Sequence, residues 1–179
     1  MSKKHFVWID LEMTGLNPDI DTILEIATII TDDQLELVAQ GPHYIIHQPD
    51  NILNAMIPVV QELHKNSGLT QAVRESSISL QQAEKDTFTF IQQHAHKRKA
   101  YLAGNSVWQD RMFLQKYMPS IIDHLHYRLL DVTSFKIAMN AWYPQKEDFE
   151  YKKEDKHRAL SDIKESIKEL AFYKKQFFM

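Results

Sequence analysis

The sequence contains no cysteine, and it has no long hydrophobic run. Without cysteine, neither a disulfide framework nor a thiolate-ligated metal site is possible. No stretch approaches the roughly 18 apolar residues of a membrane span, and the amino-terminal MSKKHFVWID has no apolar segment of signal-peptide length. These absences lead us to expect a soluble cytoplasmic protein.

The chain also lacks a strong excess of charge of either sign, since its formal net charge is −3. A protein that coats long duplex DNA needs a strongly basic face, so this class is disfavoured, whereas a protein that handles short nucleic acids with few phosphate contacts is not. A hydrophobic content of 44% with 25% charged residues is ordinary for a globular protein. The length of 179 residues suffices for one core, and we predict a single domain over residues 1–179.

Hydrophobic patterning predicts three consecutive strands followed by helices that alternate with further strands. This order predicts an α/β domain with a mixed sheet flanked by helices. The charged segment 144–156, which is poor in aliphatic residues, is predicted to be a mobile loop. The predicted elements are strands at 5–12, 23–31 and 35–47, helices at 52–66, 69–76 and 79–97, a strand at 101–105, a helix at about 107–118, a strand at 127–132, a helix ending near 142 and a last helix at 158–178.

Two carboxylates interrupt the apolar first strand. Asp10 and Glu12 are two residues apart, so they point to the same face, roughly 7 Å apart at their Cα atoms. At an effective dielectric near 20, two unit charges at this distance repel by about 2 kcal/mol, and Phe6 and Trp8 on the same face would reduce their solvation. Hard oxygen ligands favour Mg²⁺ or Mn²⁺ over Zn²⁺. The pair alone is more often solvated surface than a metal site.

A third acid follows the fourth predicted strand. Ser106 and Gln109 have the spacing of a capping box, which predicts a helix start directly after the strand. Asp110 then lies in the first helical turn, near the carboxyl edge of the sheet, where α/β proteins often carry functional groups. An acid favoured by the helix dipole is the ordinary alternative.

A histidine and a fourth acid lie near the start of the last predicted helix. His157 precedes Asp162 by five residues, so the two would not share a face if both were helical. We therefore expect His157 at the junction between loop and helix and Asp162 beside the apolar stripe that faces the sheet. Taken singly, each is more commonly an exposed polar residue.

In combination, these motifs resemble the DEDD exonucleases of the histidine subgroup, and within it the oligoribonuclease family. The tyrosine subgroup would carry Tyr four positions before the last acid, where this chain has Arg158. The resemblance covers nearly the whole chain and rests on five motifs in order: WIDLEMTGL (8–16), HKNSGL (64–69), GNSVWQDRMFLQKYMP (104–119), HYRLLDV (126–132) and HRALSDIKESIKEL (157–170).

The resemblance implies a ribonuclease H-like fold, two divalent ions (Mg²⁺ or Mn²⁺) and release of 5′-mononucleotides from the 3′ end of very short RNA. Asp10 would bridge both ions, and Glu12 and Asp162 would complete the site of the ion that holds the attacking water. Asp110 would support the second ion, directly or through water. His157 would accept the proton of the nucleophile, for which a near-neutral pKa is suited.

The resemblance also implies the residues that bind substrate. Leu16 would meet the 3′-terminal nucleotide, although a core position is a fair alternative. His64 and Ser106 would contact phosphates. Tyr127 and Arg128 would meet the 5′ end across a homodimer, which limits substrates to di- to pentanucleotides; routine packing at the start of a strand is their alternative.

The chain departs from the family pattern at two positions. Members of the family usually carry Trp five residues before the histidine of HKNSGL, where this chain has Val59. Trp108 is bulkier than expected, and it either compensates for the missing aromatic or packs elsewhere.

Three other functions compete with this interpretation. The nearest is a histidine-type exonuclease that acts on longer single-stranded RNA or DNA. A catalytically silent nucleic-acid-binding domain is disfavoured because all five site residues are present. A pure metal-binding or scaffold role would not explain His157.

Overall fold

The computed structural model describes residues 4–143, 151 and 157–177. The loop predicted at 144–156 lies outside the described residues, apart from Tyr151. In chain order the elements are β1 (His5–Met13), β2 (Ile23–Asp32), β3 (Leu37–Ile45), α1 (Asp50–Ala55), α2 (Pro58–Asn66), α3 (Leu69–Glu75), α4 (Leu80–His94), β4 (Tyr101–Gly104), α5 (Trp108–Tyr117), α6 (Pro119–His124), β5 (His126–Asp131), α7 (Val132–Trp142) and α8 (Ala159–Phe177).

The five strands form one mixed sheet in the order β3-β2-β1-β4-β5. β1 pairs antiparallel with β2 and parallel with β4, and β5 extends the sheet parallel to β4. The predicted mixed sheet flanked by helices is confirmed. β1 lies at the centre, so the two acids that it carries are surrounded by structure on both sides.

Alternation along β1 divides its side chains between two cores. Val7 and Ile9 contribute to a core that also contains Phe113 of α5. Trp8 faces the opposite side, where Ile163 of α8 packs against the sheet. Asp10 and Glu12 follow Trp8 at a two-residue spacing and therefore continue its face. The start of α8 covers this face, which places a second source of acidic side chains beside β1.

The helical region after β3 differs from the prediction. The single helix expected at 52–66 is divided, because α1 ends at Ala55 and α2 begins at Pro58. Proline lacks the amide hydrogen that a continuing helix requires and is tolerated at the first helical position. α6, which also begins at a proline, Pro119, was missing from the predicted elements.

The apolar face predicted for the last helix is confirmed: Ile163 and Leu170 are buried, and Leu160 and Ile167 are partly buried against the same core. Within the described ranges, no helix is both long enough and apolar enough to cross a membrane.

Candidate active site

Three carboxylates meet at the carboxyl end of β1. Asp10, Glu12 and Asp162 each place an oxygen within 4.8 Å of the other two. The two strand acids share a face, as predicted from their spacing, and Asp162 reaches them from the first turn of α8. The predicted orientation of Asp162 toward the sheet is therefore confirmed.

The acidic and buried surroundings of Glu12 raise its pKa. Burial, followed by the neighbouring charges of Glu25, Asp162 and Asp110, raises its pKa to about 8, although Arg158 opposes the shift. A divalent cation among these groups would reverse the sign of the repulsion and favour the ionised carboxylate. Three closely spaced carboxylate oxygens are ligands that Mg²⁺ and Mn²⁺ prefer. The residues present therefore fit a divalent metal ion.

Asp110 lies in the first turn of α5, as predicted. It is almost fully buried, and its Oδ1 accepts a hydrogen bond of 3.0 Å from the backbone N–H of Leu11. Burial raises its pKa to about 7, against the effect of the backbone hydrogen bonds. Because Leu11 lies between Asp10 and Glu12, this bond fixes Asp110 to the strand that carries the first two acids.

The predicted capping box at Ser106 and Gln109 is wrong. α5 begins at Trp108 without a side-chain cap, and the backbone of Ser106 is left-handed, with φ 48°. The N–H of Ser106 donates to Asp131 Oδ1 and Thr133 Oγ1, at 3.0 and 2.9 Å. These bonds hold Ser106 in the left-handed conformation and leave the residue exposed at the mouth of the site.

His157 lies at the junction that the sequence predicts, directly before α8. It is exposed, and its φ of 48° is unusual for a residue other than glycine. The electrostatic effect of His157 contributes to the lowered pKa of His64. The electrostatic interaction of His157 with His64, whose Nδ1 lies 3.9 Å from Glu12 Oε2, places His157 near the acidic cluster.

His64 is buried beside Glu12. Its Nε2 donates to the carbonyl oxygen of Met13 at 2.8 Å, which leaves Nδ1 as the acceptor nitrogen of a neutral ring. Nδ1 lies 3.9 Å from Glu12 Oε2 and makes no hydrogen bond. Burial is the main cause of the lowered pKa. Because an unprotonated Nδ1 does not donate, a phosphate contact would require protonation of this ring, and the predicted contact stays a prediction.

Leu16 is not a core residue, because 71% of its surface is exposed. The loop that carries it is braced by α5. Gln109 Nε2 donates to the Leu16 carbonyl at 2.7 Å, Lys116 Nζ to the Pro18 carbonyl at 2.7 Å, and the Tyr117 hydroxyl to the same carbonyl at 3.0 Å. The loop therefore presents an apolar side chain to solvent from a constrained backbone.

Trp108 is also free of the core, with 54% of its surface exposed at the first position of α5. The neighbouring Gln109 contacts the Leu16 loop, so the Trp108 backbone lies beside that loop. Val59, where the resemblance to the family leads us to expect Trp, is 68% exposed. Trp108 therefore does not pack into the core, and its compensation for the missing aromatic side chain stays a prediction.

Tyr127 and Arg128 are exposed on the edge strand β5, so their interpretation as routine packing residues is wrong. The Arg128 guanidinium lies 5.3 Å from the centre of the Tyr127 ring. The neighbouring His126 is level with Phe6 in the sheet register, two strands away. Phe6 precedes Asp10 by four residues, or about 13 Å along the strand. The structure therefore does not bring Tyr127 and Arg128 to the carboxylates of the same chain.

One cluster near the site was not predicted from the sequence. Glu25 of β2 is fully buried, and both of its carboxylate oxygens accept from Arg158 Nε, at 3.2 and 3.0 Å. His43 Nε2 contacts the same carboxylate. Burial would raise the pKa of Glu25, but the hydrogen bonds from His43 and Arg158 lower it below its usual value. The available signal was an acid inside the apolar run ILEIA at the start of β2.

Comparison with known proteins supports this geometry. A family model described as exonuclease (RNase T) matches residues 7–170. The chain is 50% identical over 175 residues to the human protein named oligoribonuclease, mitochondrial, covering 98% of this chain and 74% of that protein. It is 47% identical over 174 residues to oligoribonuclease of Pseudomonas aeruginosa, covering 97% and 96% of the two chains.

Among solved structures, the chain is similar to exonuclease I of E. coli in complex with an oligonucleotide, with a TM-score of 0.73 and 15% identity. The match covers 97% of this chain and 41% of that one, so it extends over about two fifths of the larger protein. At this identity the likeness shows the fold, and the expected ribonuclease H-like fold is confirmed. On the whole-chain sequence matches, this protein belongs to the oligoribonuclease family of exonucleases.

Proposed function

We propose that this protein hydrolyses very short single-stranded RNA, including dinucleotides, from the 3′ end and releases 5′-mononucleotides. The observation that carries the proposal is the convergence of Asp10, Glu12 and Asp162, with Asp110 bonded to the backbone of Leu11 between the first two acids. The proposal also draws on family membership, since the human and Pseudomonas aeruginosa relatives, 50% and 47% identical to this chain, are named oligoribonucleases.

Asp10, Glu12 and Asp162, together with Asp110, would hold two divalent ions, Mg²⁺ or Mn²⁺. When bound, such ions lower the pKa of the attacking water and neutralise charge on the leaving oxygen. His157 accepts the proton of the attacking water, and its exposed position allows the proton to pass to solvent. His64 supports the backbone of Met13, which directly follows the acids on β1.

The Leu16 loop follows β1 and Ser106 follows β4, and because these strands are parallel, both segments lie at the carboxyl edge of the sheet. Leu16 offers an exposed apolar surface for the face of the 3′-terminal base, and the backbone bonds to α5 hold it in place. Ser106 carries an exposed hydroxyl that can donate to a phosphate oxygen. Base-face contacts are tolerant of sequence, so this arrangement favours little base preference.

Tyr127 and Arg128 would act on the substrate bound to the other subunit of a homodimer. They lie at the opposite end of the sheet from the acids of their own chain, so a second copy is the means by which they reach a substrate. The planar guanidinium of Arg128 can make two parallel hydrogen bonds to a 5′-terminal phosphate. Because Tyr127 and Arg128 of the second copy would close the 5′ end of the binding site, long RNA would not fit. This gives the preference for di- to pentanucleotides.

A length series of 5′-labelled oligoribonucleotides tests the proposal. With Mn²⁺ or Mg²⁺, we expect the fastest turnover on the dinucleotide, slower turnover beyond about five nucleotides, and 5′-mononucleotides as products. Rates that rise with length would instead favour a histidine-type exonuclease of longer single-stranded RNA or DNA. The variant Asp10→Asn, which keeps the size of the side chain, should lose on the order of 10²- to 10³-fold in kcat. Asp33→Asn, in the β2–β3 turn, is the matched control and should retain activity.

Two expectations stay predictions at this point: that residues 1–179 act as one exonuclease domain, and that the protein resides in the cytoplasm. One similar relative is named as mitochondrial. Fractionation of the native cells would decide the location.

A further inference from the structure

Arg158 links the start of α8 to the centre of the sheet. Its Nε lies 3.2 and 3.0 Å from the two carboxylate oxygens of Glu25, which is fully buried on β2. Because unpairing a buried carboxylate is strongly unfavourable, this contact holds far more firmly than an exposed ion pair. His43 contacts the same carboxylate from β3 and fixes its orientation.

The backbone of Arg158 contacts the proposed catalytic group directly. Its N–H donates to Asp162 Oδ2 at 3.2 Å, so one residue joins Glu25 through its side chain and Asp162 through its main chain. His157 precedes it, with a φ of 48°. A left-handed conformation at a residue other than glycine persists where neighbouring contacts determine it, and Arg158 is the adjacent anchored residue.

We infer that Arg158, held by Glu25, is a positioning residue that places His157 and Asp162 at the site formed by Asp10 and Glu12. The side chain of Arg158 binds Glu25, and its charge opposes the rise in the pKa of Glu12. Its backbone N–H holds Asp162, and His157 precedes it in the chain. This inference rests on the proposed hydrolysis of short RNA. Under this inference, activity requires more than the four acids and His157. The junction between the loop and α8 must also be held in a fixed position.

Kinetics of the full chain with a 5′-labelled diribonucleotide test the inference. Arg158→Ala and Glu25→Gln should each lower kcat about 10- to 100-fold while the KM changes less than about threefold, since misplaced groups slow the reaction more than binding. The double variant should be no slower than the slower single variant, because both changes break one contact. Arg74→Ala is the matched control. Its Nε lies 2.6 Å from Asp50 Oδ1 in an exposed ion pair, and its kinetics should match the wild type.

Amide hydrogen exchange supplies a readout that does not depend on activity. In Arg158→Ala, exchange within residues 158–162 should become about 10-fold faster or more, while exchange in residues 165–177 is unchanged. A purely structural role would accelerate exchange along all of α8 and lower its stability throughout. Such a general acceleration, or a kcat within twofold of the wild type, would overturn the inference.

If circular dichroism shows that Arg158→Ala does not fold, Arg158→Lys carries the same test. Lysine keeps the charge beside Glu25 but lacks the planar group, so we expect a kcat reduced about 3- to 10-fold with local exchange raised. An unaltered Arg158→Lys enzyme with unchanged exchange would contradict the inference. A wild-type protein that fails to cleave the dinucleotide contradicts the proposed function instead, and hydrogen exchange then still tests the link between Arg158 and Glu25.

Discussion

Glu12 on β1 lies directly opposite Glu25 on β2 in the antiparallel pair. Like charges at directly opposite positions destabilise a sheet, and the surroundings of Glu12 and Glu25 differ in how far they balance this repulsion. Arg158 and His43 compensate Glu25, whose pKa is lowered, whereas the pKa of Glu12 is raised to about 8. The negative charge of Glu25 is therefore balanced by Arg158 and His43, whereas that of Glu12 is not fully balanced by neighbouring cations. Glu12 is the carboxylate that belongs to the proposed metal site.

The stability of the metal-free protein should fall as pH rises. The ordinary pKa of a glutamate is 4.5 and the pKa of Glu12 in the folded protein is about 8, so the folded state binds more protons between these values. Its contribution is fully present below about pH 4.5 and is lost as pH rises to about 8. Thermal unfolding in chelator at pH 5 to 9 measures this loss, and Mn²⁺ should raise the Tm more at pH 9 than at pH 5.

The control for this prediction is Glu12→Gln, which removes the titrating group and keeps the side-chain size. In chelator at pH 9, this variant should be more stable than the wild type by on the order of 2 kcal/mol. Its Tm should fall less steeply with pH. Parallel curves for the two proteins would contradict the assignment of the pH dependence to Glu12.

Gln109 should affect substrate binding through Leu16. Gln109→Ala removes the hydrogen bond to the Leu16 carbonyl, and a net loss of about 1 kcal/mol in the bound state raises the KM about fivefold. The dinucleotide KM and kcat measure the effect. Gln82→Ala removes a comparable amide hydrogen bond, 2.7 Å to Asp86 on α4, and serves as the control. An equal effect of both substitutions would argue against a specific role of the Leu16 loop.

Trp108 should provide a stacking surface for a substrate base. Stacking of a base on an aromatic side chain contributes about 1–3 kcal/mol, so Trp108→Ala should raise the KM about 5- to 100-fold. Binding of a nucleotide should also quench tryptophan fluorescence in the wild type and much less in the variant. Trp142, which is 71% exposed at the end of α7, is a matched control. Quenching that disappears with Trp142→Ala rather than Trp108→Ala would refute this assignment.

The proposed homodimer makes a complementation experiment possible. Arg128→Ala lacks the group that would act on the partner's substrate, and Asp10→Asn lacks a metal ligand of its own site. In a re-equilibrated equal mixture, half of the dimers are mixed, and each has one intact composite site. About one quarter of the wild-type activity should therefore return. Activity that equals the average of the two separate variants would show that Arg128 does not act across subunits.

Local patterns predicted most of the fold and part of the site. The alternation of Phe6, Trp8, Asp10 and Glu12 correctly gave one shared face, because strand periodicity requires no distant contact. The stripe from Leu160 to Leu170 correctly placed Asp162 toward the sheet. The division between α1 and α2 at Pro58 is also readable from the sequence, because proline cannot continue a helix, although the apolar spacing is continuous across it.

Other features depended on contacts between distant segments. The capping box at Ser106 failed because Asp131 and Thr133, on β5 and α7, bind its N–H and draw the residue out of the capping geometry. The ion pair between Glu25 and Arg158 joins positions that are 133 residues apart, which no local spacing indicates.

The sequence by itself determined which faces of β1 and α8 are apolar, which faces carry acids and which chemistry the polar groups can perform, because these follow from side-chain type and from the periods of strand and helix. Only the tertiary structure decided that Asp162 meets Asp10 and Glu12, that Leu16 and Trp108 are exposed, and that Arg158 is fixed to Glu25. The physical reason is that packing of α5 and α8 on the sheet sets these distances, and that packing is a property of the whole chain.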